Sequence, residues 1–204
     1  MKITKDLRLA FPVDTEEHGT LLIYSIPVAR DTFELYFAEL GAVFKACYAG
    51  DEEGVHLALI GPQIAFSALK AASLKLKTWD KPAGVQAGLV NEMIRLTSVA
   101  YAEPEGGWKT LPMAVAQERG ILDDEDSQEV LNSLVFFTAA SRAGPKPLAE
   151  SMLPLMTGSR GWEYGSWTIT DFIDFWTKSN AAATSEPGAS AEDPSSENLS
   201  SIIA

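Results

Sequence analysis

Residues 31–48 read DTFELYFAELGAVFKACY. Phe33, Tyr36, Phe37, Leu40, Val43, Phe44 and Cys47 recur at intervals of three and four, the period of an amphipathic helix with one buried face. Asp31 followed by Glu34 has capping-box spacing, which sets the expected start of that helix, and the turn residues Gly50 to Gly54 set its end.

The sequence before this helix has strand chemistry. Asp6 to Phe11 alternates polar and apolar residues, and Leu21 to Ile26 is aliphatic and aromatic. The polar segment Val13 to Gly19 between them predicts a hairpin, with Pro12 and Pro27 ending the strands because proline cannot donate to a ladder.

The sequence after it is mainly helical in period. Val55 to Ile60 fits either a short strand or an apolar lead into Pro62, which is placed to open a helix through Ala65, Leu69, Ala72 and Leu76. A second helix is expected after Pro82, with Val85, Leu89, Met93, Leu96 and Ala100 on one face and a break at Glu103 to Gly107. Pro112 predicts a short helix ending at Gly120. Asp123 to Asp126 then precede the apolar stripe Val130, Leu131, Leu134, Val135 and Phe137, and Arg142, Gly144 and Pro145 form the stop. Leu148 to Met156 reads as a short helix. A Gly-rich aromatic stretch follows, and a last helix opens near Thr168 with Asp171 three residues on.

The chain has 204 residues, 46% of them hydrophobic and 22% charged, with a mean hydropathy of +0.01. That describes one globular domain and excludes collagen-like or multi-span membrane chains. The expected class is α+β and predominantly α-helical: a small N-terminal β-hairpin or short sheet, then packed amphipathic helices. Residues 1–179 form the single domain. Residues 180–204, rich in Ala, Ser and Pro with four acids and no Lys or Arg, are expected to be disordered.

Sixteen Lys plus Arg against 28 Asp plus Glu give a net charge of −12. The resulting field repels phosphate backbones and anionic headgroups, so neither nucleic acid nor membrane is the expected partner. One cysteine permits no internal disulfide, residues 1–10 lack the order of a signal peptide, and no apolar run is long enough for a membrane span. These features lead to an expectation of a cytoplasmic protein.

Motifs for chemistry are sparse. His18 lies in the hairpin loop beside Glu16 and Glu17 without a Ser or Cys nucleophile nearby, and His56 lies in the ambiguous Val55 to Ile60 segment. Asp123 to Asp126 with Glu118, and Asp51 to Glu53, lack the glycine-punctuated spacing of a calcium loop. Gly158, Gly161 and Gly165 are not followed by the Lys-Ser/Thr pair of a phosphate loop. Lys70, Lys75, Lys77 and Lys81 around Trp79 have the composition of a helix end facing solvent. No catalytic residue, cofactor or metal is assigned. Contacts to a protein partner are expected instead at Trp108, Trp162, Tyr164 and Trp167, since aromatic residues anchor interfaces.

One longer pattern remains: Gly107-Trp108-Lys109-Thr110-Leu111-Pro112-Met113-Ala114-Val115-Ala116, then Gly120 to Asp123, then Glu129 to Ser141. With Gly61-Pro62, the Glu92 to Leu96 segment and the N-terminal hairpin, it resembles the tail assembly chaperones of long-tailed bacteriophages over residues 7–143. The resemblance implies a mainly helical, non-catalytic protein of the host bacterial cytoplasm. Such a protein binds the tape-measure protein, with the tail-tube subunit as a further partner, and is absent from the finished virion. It also implies that a ribosomal frameshift near the end of the gene produces a longer form. The alternative is a structural minor tail or adaptor protein retained in the particle.

Overall fold

The computed structural model describes residues 2–4, 8–48, 55–103, 106–142, 163–165 and 168–185. Its strands are β1 (Lys2–Thr4), β2 (Leu9–Thr15), β3 (Gly19–Ser25), β4 (Thr97–Ala102), β5 (Trp108–Pro112) and β6 (Glu163–Gly165). Its α-helices are α1 (Arg30–Leu35), α2 (Phe37–Tyr48), α3 (Val55–Leu76), α4 (Asn91–Arg95), α5 (Met113–Glu118), α6 (Asp124–Arg142) and α7 (Ile169–Ser185). A π-helical turn, Val85–Val90, leads into α4. The mixed α and β class with helices in the majority is as expected. The small N-terminal sheet is not: the strands form one six-stranded sheet in the order β5-β4-β3-β2-β1-β6.

β2 and β3 form the expected hairpin, with Phe11 opposite Ile23 and Val13 opposite Leu21. Pro12 lies inside β2 rather than at its end. The position tolerates a missing N–H because β1 pairs only with Leu9 and Ala10, leaving the strand without that neighbour at Pro12. β4 pairs antiparallel with β3, and β5 with β4. β6 runs parallel to β1.

The periodicity carries the expected helix through Leu96 to Ala100, where the structure has β4, and assigns no element to residues 108–111, which form most of β5. The apolar spacing through Leu96 and Ala100 imitates a helical face, but Thr97, Val99 and Tyr101 carry the branched and aromatic side chains that favour a strand. The neighbouring β3 decides the outcome, because Leu21, Leu22, Ile23 and Tyr24 are all buried and need cover on both faces and both edges.

The two sheet faces are unequal. Leu9, Phe11, Val13, Leu21, Ile23 and Val99 pack against the helices α1 to α6 in the main core. Ala10, Leu22, Tyr24 and Ala100 face the other way and are covered by Phe172 of α7, with Ile169, Ile173, Trp176 and Trp108 around it. α7 begins as expected: Asp171 N–H donates to Thr168 Oγ1 at 3.1 Å and Thr168 N–H donates to Asp171 Oδ2 at 2.9 Å. The helix continues to Ser185, past the expected boundary at residue 179.

α6 is the axis of the main core. Every residue from Val130 to Ser141 is buried, and its N-terminus is capped by Asp123, whose Oδ1 accepts the Asp126 N–H at 2.7 Å. Asn132, buried on this helix, accepts the backbone N–H of Phe66 at 2.8 Å. Phe66 lies one turn after Pro62, which is inside α3 rather than at its start. A proline there has no N–H to give the carbonyl four residues before it, which leaves one gap in the helical ladder on its N-terminal side.

Candidate partner-binding surface

The helix read from residues 31–48 is in fact two. Arg30 opens α1 and forms an ion pair with Glu34 at 2.7 Å, so the Asp31/Glu34 box is not used. Tyr36 leaves helical geometry at φ −110° and ψ 24°, and α2 starts at Phe37.

The break follows from where the Tyr36 side chain is held. Its hydroxyl donates toward the carbonyls of Ala83 at 3.1 Å and Gly84 at 3.3 Å. The phenol lies so close to the π turn that a Cβ on Gly88 would stand 1.7 Å from its oxygen. Burial of the Tyr36 hydroxyl, and after it the charge of Glu39, raises its pKa above the ordinary value.

With Tyr36 turned inward, its neighbours turn outward. Leu35 is 70% exposed and Phe37 59%. The expected stripe otherwise holds: Phe33, Tyr36, Leu40, Val43 and Cys47 are buried, and Phe44 is half-buried. Burial pushes the Cys47 thiol up to about 11, which leaves it protonated and unreactive at neutral pH.

α3 returns antiparallel to α2, and the pairing is fixed at this end by Thr78 Oγ1 donating to Glu39 Oε1 at 2.8 Å. Glu39 is 5% exposed, so this bond stabilises a carboxylate that would otherwise lack a partner in the interior. α3 closes with Thr78 N–H donating to Ser73 O and Lys77 N–H to Leu74 O. That closure places Lys77 in the left-handed region at φ +55°. Leu74 at 52% and Leu76 at 49% exposure remain in solvent beside it.

Phe37 and Leu76 each lie two residues before an end of the Glu39–Thr78 bond. Leu35, Phe37, Leu74 and Leu76 therefore share one end of the α2/α3 pair. Four large apolar side chains exposed at one end of a helix pair are candidates for contact with a partner. Lys70, Lys75, Lys77 and Lys81 belong to the same end, and all four are exposed. The Lys70 ammonium stands 5.8 Å from the centre of the Trp79 ring, and Trp79 is itself buried against Phe66.

The aromatic residues expected to contact a partner are placed differently. Trp108 is half-buried on β5, and its Nε1 donates to Thr177 Oγ1 at 3.0 Å, tying the sheet to α7. Tyr164 is in β6 opposite Ile3. Trp162 and Trp167 lie outside the described residues, as does the Leu148 to Met156 segment. The α2/α3 cluster escaped sequence reading because the helical period assigned Phe37 and Leu76 to the core.

A second feature lies at the hairpin tip. A cleft of 130 Å³ is lined by Glu16, Glu17, His18, Gly120, Asp123 and Asp126 among others, well below the several hundred Å³ of ordinary ligand pockets. His18 donates its backbone N–H to Thr15 Oγ1. Among the described residues, no group of three or more His, Cys, Asp or Glu is placed to hold a metal ion. His56 is in α3.

Acids crowd the hairpin tip and the start of α6, and among the described residues no ion pair joins them to a cation. Desolvation, then the charges of Asp126, Asp14 and Glu125, raise the Glu129 pKa. Desolvation and Asp123 do the same for Asp126, against a backbone hydrogen bond that lowers it. A carboxyl whose pKa is raised on folding binds protons more readily in the native state. The stability it withholds at neutral pH is therefore recovered as pH falls toward the ordinary carboxylate range. Glu129→Gln is expected to raise unfolding free energy at pH 7 by up to about 0.5 kcal/mol, since the group is exposed and screened. Urea titrations at several pH values check this. The gain must shrink toward acid pH, and a gain that grows there refutes the assignment.

Among the described residues no helix is long and apolar enough to cross a membrane. No family model, curated protein or solved structure matches the chain.

Proposed function

We propose that this chain is a tail assembly chaperone of a long-tailed bacteriophage. It works in the host bacterial cytoplasm by binding the tape-measure protein, with the tail-tube subunit as a second client, and it catalyses nothing. The observation that carries this reading is the exposure of Leu35, Phe37, Leu74 and Leu76 at one end of the α2/α3 pair, on a chain of net charge −12. A long, apolar helical client aggregates unless its apolar stripe is covered. A soluble acidic protein with an apolar helix end supplies that cover and resists self-association through its charge.

The resemblance of Gly107 to Ser141 to the chaperone family adds the identity of the client. In the fold this block forms β5, α5 and the core helix α6, so it supports the surface rather than forming it.

Co-expression with the tape-measure protein of the same phage tests the reading. The wild-type chain is expected to form a complex and to move most of that protein into the soluble fraction. Phe37→Ser with Leu74→Ser and Leu76→Ser is expected to abolish the effect while the chain stays folded, because about half of each side chain is exposed and none belongs to the buried core. A client that stays insoluble with the wild-type chain refutes the function, and a triple variant that is fully active refutes the site.

A further inference from the structure

The apolar end of the α2/α3 pair has a second property, which is its charge. Lys70, Lys75, Lys77 and Lys81 fall within a span that also holds Leu74 and Leu76, and its one acid is Asp80. On the α1/α2 side Asp31 is exposed, Glu34 is engaged by Arg30, and Glu39 is buried with Thr78 donating to it. No ion pair joins Lys75, Lys77 or Lys81 to an acid among the described residues. On a chain of net charge −12, a local excess of cations beside exposed leucines matches a segment that is both acidic and apolar.

The chain contains such a segment. Residues 186–204, EPGASAEDPSSENLSSIIA, carry Glu186, Glu192, Asp193 and Glu197, no Lys or Arg, and the apolar group Leu199, Ile202 and Ile203. α7, which packs on the sheet through Phe172, ends at Ser185, so the segment follows directly on that helix. Nineteen residues span up to about 60 Å when extended. A body of this length has a radius of gyration of about 16 Å, so the segment reaches across much of its surface.

We propose that residues 186–204 dock on the lysine-flanked apolar end of the chain's own α2/α3 pair, with Leu199, Ile202 and Ile203 against exposed side chains among Leu35, Phe37, Leu74 and Leu76 and the acids of the segment facing Lys75, Lys77 and Lys81. The inference is independent of the client's identity, because the occupant belongs to the same chain. Tethering makes a weak contact effective, since the local concentration of a linked segment is in the millimolar range. Where a client uses the same surface, it binds by displacing the segment.

Cys47 is buried and unreactive, so a single Ser200→Cys substitution accepts a nitroxide label selectively on the full-length chain. Amide signals of residues 35–39 and 74–81 are expected to lose most of their intensity to paramagnetic broadening. The signals should recover in high salt, with Lys75→Glu and Lys77→Glu together, and with Ile202→Ser and Ile203→Ser together. The last pair lies outside the folded core and separates loss of docking from loss of fold. Absence of broadening at these residues, or broadening that survives both pairs of substitutions, overturns the proposal. A sample mixing labelled unenriched chains with unlabelled enriched chains decides the origin of the contact. Broadening in that sample overturns docking within one chain and assigns the surface to a second copy.

Discussion

Gly84→Ala is expected to destabilise the protein by about 3 kcal/mol or more. A Cβ at this position would stand 2.1 Å from the carbonyl oxygen of Thr78, 2.8 Å from that of Trp79 and 2.9 Å from the Lys81 nitrogen. All three are backbone atoms, so no rotamer change relieves the clash. They also belong to a knot that holds the π turn to the end of α3: Val85 N–H donates to Thr78 O at 3.0 Å and Gly84 N–H to Lys81 O at 2.8 Å. Any shift that accommodates the methyl group moves the Ala83 and Gly84 carbonyls away from the Tyr36 hydroxyl. The break between α1 and α2 then loses its anchor. Gly41→Ala is the matched control. It lies on the exposed side of α2 with nothing within 4 Å of its Cβ, and a helix interior favours alanine by about 1 kcal/mol. Denaturant midpoints of the two variants should therefore move in opposite directions. A fall in both, or a Gly84→Ala midpoint close to wild type, contradicts the packing described for the turn.

Phe172→Ala is expected to release α7 from the sheet while the main core stays folded. Among the residues of α7 whose burial is described, Phe172 alone is fully buried, and it fills the satellite cluster over Ala10, Leu22, Tyr24 and Ala100. Loss of a buried phenylalanine costs roughly 3–5 kcal/mol. The half-buried Ile169, Ile173 and Trp176 and the bond from Trp108 to Thr177 remain to offset it. Trp176 weakens the case for retention, because its Nε1 is buried without a hydrogen-bond partner, and leaving such a donor unmade is costly. Hydrogen exchange separates local from global opening. Amides of α7 should exchange far faster in the variant than in wild type, and those of α6 should keep their protection. Equal loss in the two helices would mean that the faces of the sheet fold as one unit.

The parts of the fold readable from sequence are those in which local chemistry and tertiary context agree. α6 is announced by its acids, its apolar stripe and the Arg142 to Pro145 stop. The Thr168/Asp171 cap marks the start of α7, and the β2–β3 hairpin follows from alternation and a polar turn. Where context overrides local pattern, reading fails. Val85, Leu89, Met93, Leu96 and Ala100 keep a helical period across a π turn, a short helix and a strand, because the end of the helix and the register of β4 are set by β3. β6 is three residues long and is defined by its pairing with β1. The apolar end of the α2/α3 pair was hidden for a similar reason. Periodicity states which residues share a face, but whether a partner helix reaches the end of that face depends on where α3 stops and on a tyrosine held by a turn nearly fifty residues away.

The order of strands in the sheet has a consequence for synthesis. β3 is central in space but early in sequence, and its neighbour β4 follows only after 72 residues, counting from Ser25 to Thr97. At translation rates of about 5–20 residues per second, the nascent hairpin waits roughly 4–14 s for that neighbour. Throughout that interval Leu22, Ile23 and Tyr24 lack their β4 neighbour, and the face that carries Leu22 and Tyr24 stays uncovered longer still, until α7 is made. One side of the central strand can therefore begin to be enclosed while the chain is still emerging, by α1 to α3, and the other only when the last helix arrives.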